Sequence, residues 1–191
     1  MKVLIVGATG MLGYSLFKNL SDHSAFDVFG TVRSMAGKEH FFEHSRGKIL
    51  RGVDVTDLAS VEVAIVKICP DVVINCVGLI KQHDVASQHI AAISINSLLP
   101  HQLANLCQQQ GCRLVHFSTD CVFDGKTGGY LESALPTATD LYGRSKALGE
   151  VDYPPHLTLR TSIIGHELSS NVSLVDWFLS QTGTVKGFSQ A

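Results

Sequence analysis

Charge is scarce in this chain and none of it is clustered. Only 17% of the 191 residues are Asp, Glu, Lys or Arg, fifteen bases against seventeen acids for a net charge of -2. Without a basic block there is no electrostatic footprint for nucleic acid or another polyanion. Long apolar runs are missing as well: none approaches the roughly 18 residues needed to span a bilayer, so no membrane partner is expected. The first residues resemble a secretory leader, but Gly7, Thr9 and Gly10 break the apolar run and no small-x-small cleavage site follows. The five cysteines (Cys69, Cys76, Cys107, Cys112 and Cys121) form no C-x-x-C pair and lie in or beside apolar runs, where a reduced thiol acts as a small hydrophobe; a reducing cytoplasm is the expected location. His40 and His44 share a helical spacing, but no further ligand-rich cluster supports a metal, and they are read as solvated loop residues. No internal repeat or low-complexity tract is present.

What is present suits a compact globular protein. A 45% hydrophobic fraction can fill one core, and the length favours one domain with a small appendage. Short β-branched runs alternate with longer segments of helical period, the pattern of parallel strands joined by crossover helices. Strands are expected at 2–6, 26–32, 49–53, 72–77, 113–117 and 157–164. Helices are expected at 10–20, 57–69, 86–110 and 141–151, with Pro100 a candidate interruption of the third. Residues 34–48 are expected to be loop and irregular turn. The sheet order 3-2-1-4-5-6 follows, a doubly wound Rossmann-type α/β fold. Residues 165–173 read as a linker, and a short amphipathic helix at 174–179 carries Trp177 and Phe178, expected to seal against the core or a neighbouring subunit.

The first strand runs into Gly7-Ala8-Thr9-Gly10-Met11-Leu12-Gly13, a G-x-x-G-x-x-G loop opening a helix. Glycines there let a phosphate reach the backbone N–H groups of a helix N-terminus, where the dipole also favours an anion; the competing reading is a tight turn. After the second strand come Arg33 and Ser34, with no acid to bind a ribose 2′-hydroxyl, so NADP(H) is preferred, with NAD(H) still allowed. An Arg33 that stacks on adenine or faces solvent is the alternative. Asp54 can accept from an adenine amino group, with Val55 as an apolar contact, while Thr56 or Asp57 caps the next helix. Cys76, Val77 and Gly78 end the fourth strand, Gly78 allowing a ribose or nicotinamide close to the backbone. Ser118-Thr119-Asp120 ends the fifth. Tyr142 and Lys146 lie four apart on one helical face, where an ammonium can lower the phenol pKa towards neutrality and the Thr119 hydroxyl can hold a substrate carbonyl.

With Asp71-Val72-Val73-Ile74-Asn75, Ile95-Asn96, Ser118 through Gly125, and Tyr142-Gly143-Arg144-Ser145-Lys146-x-x-Gly149-Glu150, the chain resembles the extended short-chain dehydrogenases/reductases, in particular the sugar-nucleotide reductases of the dTDP-4-dehydrorhamnose reductase kind. The resemblance implies catalytic Thr119, Tyr142 and Lys146, with Lys146 also on the nicotinamide ribose, and Asn96 near the family's proton-relay asparagine. It implies Asp120 and Cys121, with Thr119, on the substrate side. It divides the chain into a nucleotide-binding domain at 1–165 and the incomplete start of a substrate-binding portion at 166–191. The implied reaction is NAD(P)H-dependent reduction of a keto group on a nucleotide-linked deoxysugar; a homodimer is compatible with it. A sugar-nucleotide epimerase or dehydratase, and a non-catalytic regulatory subunit such as that of methionine adenosyltransferase, share the scaffold. Cys121 replaces a tyrosine usual in the rhamnose-pathway enzymes.

Overall fold

The structure, a computed structural model, describes residues 1–80, 85–168 and 173–187. In chain order its elements are β1 (Lys2–Val6), α1 (Met11–Ser21), β2 (Asp27–Val32), β3 (Ile49–Arg51), α2 (Leu58–Ile68), β4 (Val72–Asn75), α3 (Val85–Ala92), α4 (Leu99–Gln109), β5 (Arg113–Ser118), α5 (Leu141–Leu148), β6 (Leu157–Arg160) and α6 (Leu174–Leu179). The six strands form one parallel sheet in the order β3-β2-β1-β4-β5-β6, as the alternation of strand and helix patterns predicts.

Helices on both faces bury the central strands completely, which is why β1 and β4 read as continuous apolar runs. Val3 and Ile5 face one layer with Phe17 of α1, Val28, Val32, Phe42 and Ile74. Leu4 and Val6 face the other, with Val61 and Ile65 of α2, Leu99, Leu103 and Leu106 of α4, and Leu114. Strand periodicity of two thus feeds two separate cores.

The structure corrects several expectations. Within the stretch expected as loop and irregular turn, Glu39–Lys48 form 3-10 turns joined across kinks at Phe42 and Ser45. Phe42 drives this: its ring is sealed against Tyr14 and Phe17 at centroid distances of 5.4 and 5.5 Å. The helix expected at 86–110 is broken before Pro100, by a π-helical turn at Ile93–Leu98. Pro100 lies in the first turn of α4, where its missing N–H is not needed. The wide turn also rotates the apolar stripe, so Leu99, Leu103 and Leu106 are in the core while Ile90 and Ile93 are 75% and 54% exposed.

Strands β3, β4 and β6 and helix α5 are shorter than expected. β6 stops at Arg160, whose guanidinium is drawn to Glu150 at 2.8 and 2.7 Å, and Ile163 and Ile164 beyond it are exposed. Helix α6 buries no residue, and Trp177 and Phe178 are 43% and 59% exposed, so they do not seal this chain's core. Among the described residues no helix is long and apolar enough to cross a membrane.

Candidate nucleotide cleft and catalytic helix

A cleft of about 390 Å³ opens at the carboxyl ends of β1, β2, β3 and β4, where ligands bind in open α/β sheets. It gathers Gly7, Thr9, Gly10, Arg33, Ser34, Asp54, Val55, Cys76, Val77 and Gly78 from four separate loops. A larger open groove of about 920 Å³ lies between β3 and α2, but its lining contains none of the glycine-loop or Tyr-Lys residues, so the chemistry points to the smaller cleft.

The loop geometry explains the glycines. Gly7 has φ +88°, and a Cβ there would come within 2.6 Å of Val77 Cγ2. A Cβ on Gly13 would collide with the Gly7 carbonyl, so Gly13 lets α1 lie against the loop rather than lining the cleft. Thr31, buried at the end of β2, accepts from Gly7 N through Oγ1 at 3.3 Å and from Ala8 N through its carbonyl at 2.9 Å. The N-cap of α1 is Gly10, with no side-chain cap, and Tyr14 N donates to Gly10 O at 2.9 Å. The amides of Met11, Leu12 and Gly13 therefore precede the helix's own bonds and suit an anion.

At the far end, Asp54 Oδ1 accepts from both the amide and the hydroxyl of Thr56, at 3.0 and 2.8 Å. These bonds hold its carboxyl below the usual range, with the Arg33 guanidinium adding to the effect. Asp57 occupies the N-cap position of α2 without a side-chain cap bond. Burial pushes the Cys76 thiol up to about 12, so it behaves as an inert wall. Lining residues that sequence reasoning missed are Thr31, Val32, Ala36, Lys38 and Val53.

Gly78 joins this cleft to the second half of the site. A Cβ there would lie 3.8 Å from Lys146 Nζ and 3.7 Å from Asn96 Oδ1. Asn96, in the π turn, accepts from Leu79 N at 2.8 Å and donates to Leu79 O and to Ser145 Oγ, both at 3.1 Å. Ser97 Oγ donates to the Ser145 carbonyl at 2.8 Å. The π turn thus clamps α5 and the post-β4 loop together, using the Asn96 amide for that purpose. Gly143 and Gly149 permit the fit, since a Cβ at either would overlap the backbone carbonyl of Cys121 or of Asn96. The G-x-x-x-x-x-G spacing from within α5 to its C-cap is the sequence signal for this fit.

Thr119, just after β5, donates to Asp120 Oδ1 at 3.0 Å and accepts from Cys121 N at 3.2 Å. Asp120 is held below the usual carboxylate range chiefly by the Ser162 hydroxyl, a partner from beyond β6 that sequence did not suggest. Cys121 is exposed beside this group.

The expected lowering of the phenol pKa by Lys146 does not hold in this structure. Burial raises the Tyr142 pKa, the Thr119 hydroxyl opposes this, and Cys121, Asp120 and Asp140 add to the rise. Lys146 Nζ donates instead to the Phe117 carbonyl at 2.6 Å, and burial lowers its own pKa to about 8. Beneath them, buried His116 is pushed down to about 3, first by burial and then by Lys146; its Nδ1 lies 3.1 Å from Asn75 Nδ2. Asn75 Oδ1 in turn accepts from Val77 N in the cleft wall at 3.0 Å.

Fold and site together define a Rossmann-type domain whose glycine-lined cleft ends at a threonine, a tyrosine and a lysine. The family model described as the RmlD substrate binding domain matches residues 1–180, and the chain belongs to that family, within the extended short-chain dehydrogenases/reductases. It is 31% identical over 169 residues to the "Probable low-salt glycan biosynthesis reductase Agl14" of Haloferax volcanii, covering 86% of this chain and 54% of the relative. It is 32% identical over 149 residues to the methionine adenosyltransferase 2 subunit beta of Xenopus tropicalis, covering 78% of this chain and 41% of that one. Among solved structures, the dTDP-4-dehydrorhamnose reductase of Bacillus anthracis, in complex with NADP, matches with a TM-score of 0.67 and 25% identity over 87% of this chain and 56% of that one. The chain spans about half the length of the curated relatives it matches.

Proposed function

We propose that this chain is the cofactor-binding and catalytic portion of a reductase that uses NADPH in preference to NADH to reduce a keto group on a nucleotide-linked deoxysugar. The observation that carries the reading is the continuity at Gly78: a glycine-lined cleft runs directly to the Lys146 ammonium. A nicotinamide dinucleotide fits the residues present, because the glycine loop leaves backbone amides facing a phosphate and Gly78 leaves space beside Lys146. The sugar-nucleotide reductase named above, which binds NADP, supports the same assignment.

In this reading residues 1–165 form the dinucleotide domain and 166–191 begin the substrate portion. Amides of the Gly7–Gly13 loop and the α1 N-terminus hold the pyrophosphate, Arg33 and Ser34 the adenosine 2′-phosphate, and Asp54 and Val55 the adenine. Cys76, Val77 and Gly78 form the wall along the ribose and nicotinamide, and Asn96 fixes the Leu79 backbone at its end. The reduced nicotinamide supplies hydride when bound. Thr119 turns its hydroxyl to the substrate carbonyl oxygen, Tyr142 gives that oxygen its phenolic proton, and Lys146 holds ribose hydroxyls while stabilising the phenolate left behind. The raised Tyr142 pKa keeps the phenol protonated before the step. The Lys146 ammonium gives one N–H to the Phe117 carbonyl and keeps its other donors for the ribose hydroxyls and the phenolate. Asp120 and Cys121 border the sugar.

The direct test is NADPH oxidation followed by absorbance against a panel of nucleotide-linked 4-keto sugars, using the protein with its full substrate portion. Turnover with none of them, alongside tight NADPH binding, favours a second reading, a non-catalytic regulatory subunit. The similarity to methionine adenosyltransferase 2 subunit beta is the observation behind it. Tightly retained NAD in the purified protein points instead to an epimerase or dehydratase.

A further inference from the structure

We infer that Lys38 is the second cation of a phosphomonoester subsite at the adenosine end of the cleft, and that it, as much as Arg33, sets the preference for a 2′-phosphorylated dinucleotide. This rests on the dinucleotide reading above and adds a specificity-determining residue to it.

Arg33 and Ser34 leave β2 at the cleft, and Met35 then turns inward, buried in the core layer of α1. Lys38 N donates to Met35 O at 2.8 Å, closing a four-residue turn, and Gly37 holds its φ at +74°. A Gly at the third position with positive φ is what such a turn requires. Ser34 Oγ accepts from Ala36 N at 3.2 Å and tightens the start of the same turn. The chain therefore doubles back, and Lys38 re-enters the cleft lining beside Arg33, Ser34 and Ala36. Five positions separate the two cations in sequence; the turn makes them neighbours around one opening.

The charged residues lining the cleft are Arg33, Lys38 and Asp54. Asp54 is the one acid among them, and its carboxyl, held low chiefly by Thr56, also feels the Arg33 guanidinium. Arg33 and Asp54 by themselves would give this end of the cleft one cation and one anion. Lys38 is half-buried, and among the described residues its ammonium has no ion-pair partner. It leaves this end of the cleft with a net positive charge and three rotatable donors that can follow a phosphate. A ribose 2′-hydroxyl, as in NADH, draws no benefit from that charge.

The test is calorimetric titration of the intact protein and of Lys38→Met and Lys38→Arg with NADPH, NADH, adenosine 2′,5′-bisphosphate and 5′-AMP. Lys38→Met is expected to weaken NADPH and the bisphosphate about tenfold, the scale of one charge-assisted contact, and to change NADH and 5′-AMP by less than about twofold. Lys38→Arg is expected to keep most of the preference. Equal losses for phosphorylated and unphosphorylated ligands, or an undiminished preference in Lys38→Met, overturns the assignment of Lys38 while leaving the NADPH reading in place. A wild-type protein that binds NADH as tightly as NADPH overturns both, and one that binds neither overturns the dinucleotide reading itself.

Discussion

Acidification probes the polar layer beneath the site most directly, through His116. The imidazole is fully buried and its folded pKa is about 3, against an ordinary value of 6.5. Its Nδ1 accepts from Asn75, so protonation would set two donors against each other and loosen the Asn75–Val77 contact in the cleft wall. The unfolded chain binds a proton below pH 6.5 while the folded chain does not. Stability is therefore fully present above pH 6.5 and falls as pH drops towards 3, by about 1.4 kcal/mol per unit. Between pH 6.5 and 5 the loss from this one group is about 2 kcal/mol. With a urea m-value of about 2 kcal/mol/M, the unfolding midpoint moves down by about 1 M. His156, also lowered by burial, adds a slope of the same sign, so the informative quantity is the difference from His116→Gln, whose amide oxygen can still accept from Asn75. Urea midpoints read by circular dichroism at pH 7, 6 and 5 should diverge between wild type and variant. Parallel pH profiles would refute the reasoning, because a solvated or partnered His116 would titrate alike in both states.

Tyr142→Phe should lower single-turnover hydride transfer by about 10² to 10⁴-fold while leaving NADPH affinity nearly unchanged, since only the transferable proton is lost; near-normal transfer would remove Tyr142 as the acid. Lys146→Met should weaken both transfer and cofactor binding, measured as separate constants on the same preparation. Arg33→Asp should weaken NADPH far more than NADH by titration, because it places a second carboxylate beside Asp54. Gly149→Ala should destabilise the protein by about 1–3 kcal/mol in urea unfolding, as its methyl must push α5 away from the Asn96 carbonyl.

Much of this was already written in the linear pattern. β-branched runs separated by helical stripes and the glycine loop after the first run determined the elements and the place of the cleft, because these depend on local period; the sheet order, in which β1 pairs with the distant β4, followed from the doubly wound topology that such alternation implies. The Tyr142–Lys146 spacing likewise put both residues on one helix face. Folding in three dimensions decided what those residues meet. Phe42 made ordered turns of an apparently polar stretch by filling a gap beside Tyr14 and Phe17. The π turn, which no residue preference announces, moved Ile90 and Ile93 out of the core and aimed Asn96 at Leu79 and Ser145. The side-chain environment around Tyr142 reversed the expected direction of its pKa, since burial and nearby acids act through space while the neighbour four residues away is drawn to the Phe117 carbonyl. Lys38 came beside Arg33 only through the turn at Gly37. Sequence period fixes elements because it acts over a few residues; charge balance and clamping depend on distances between segments far apart in the chain, and those exist only once the sheet has closed its layers.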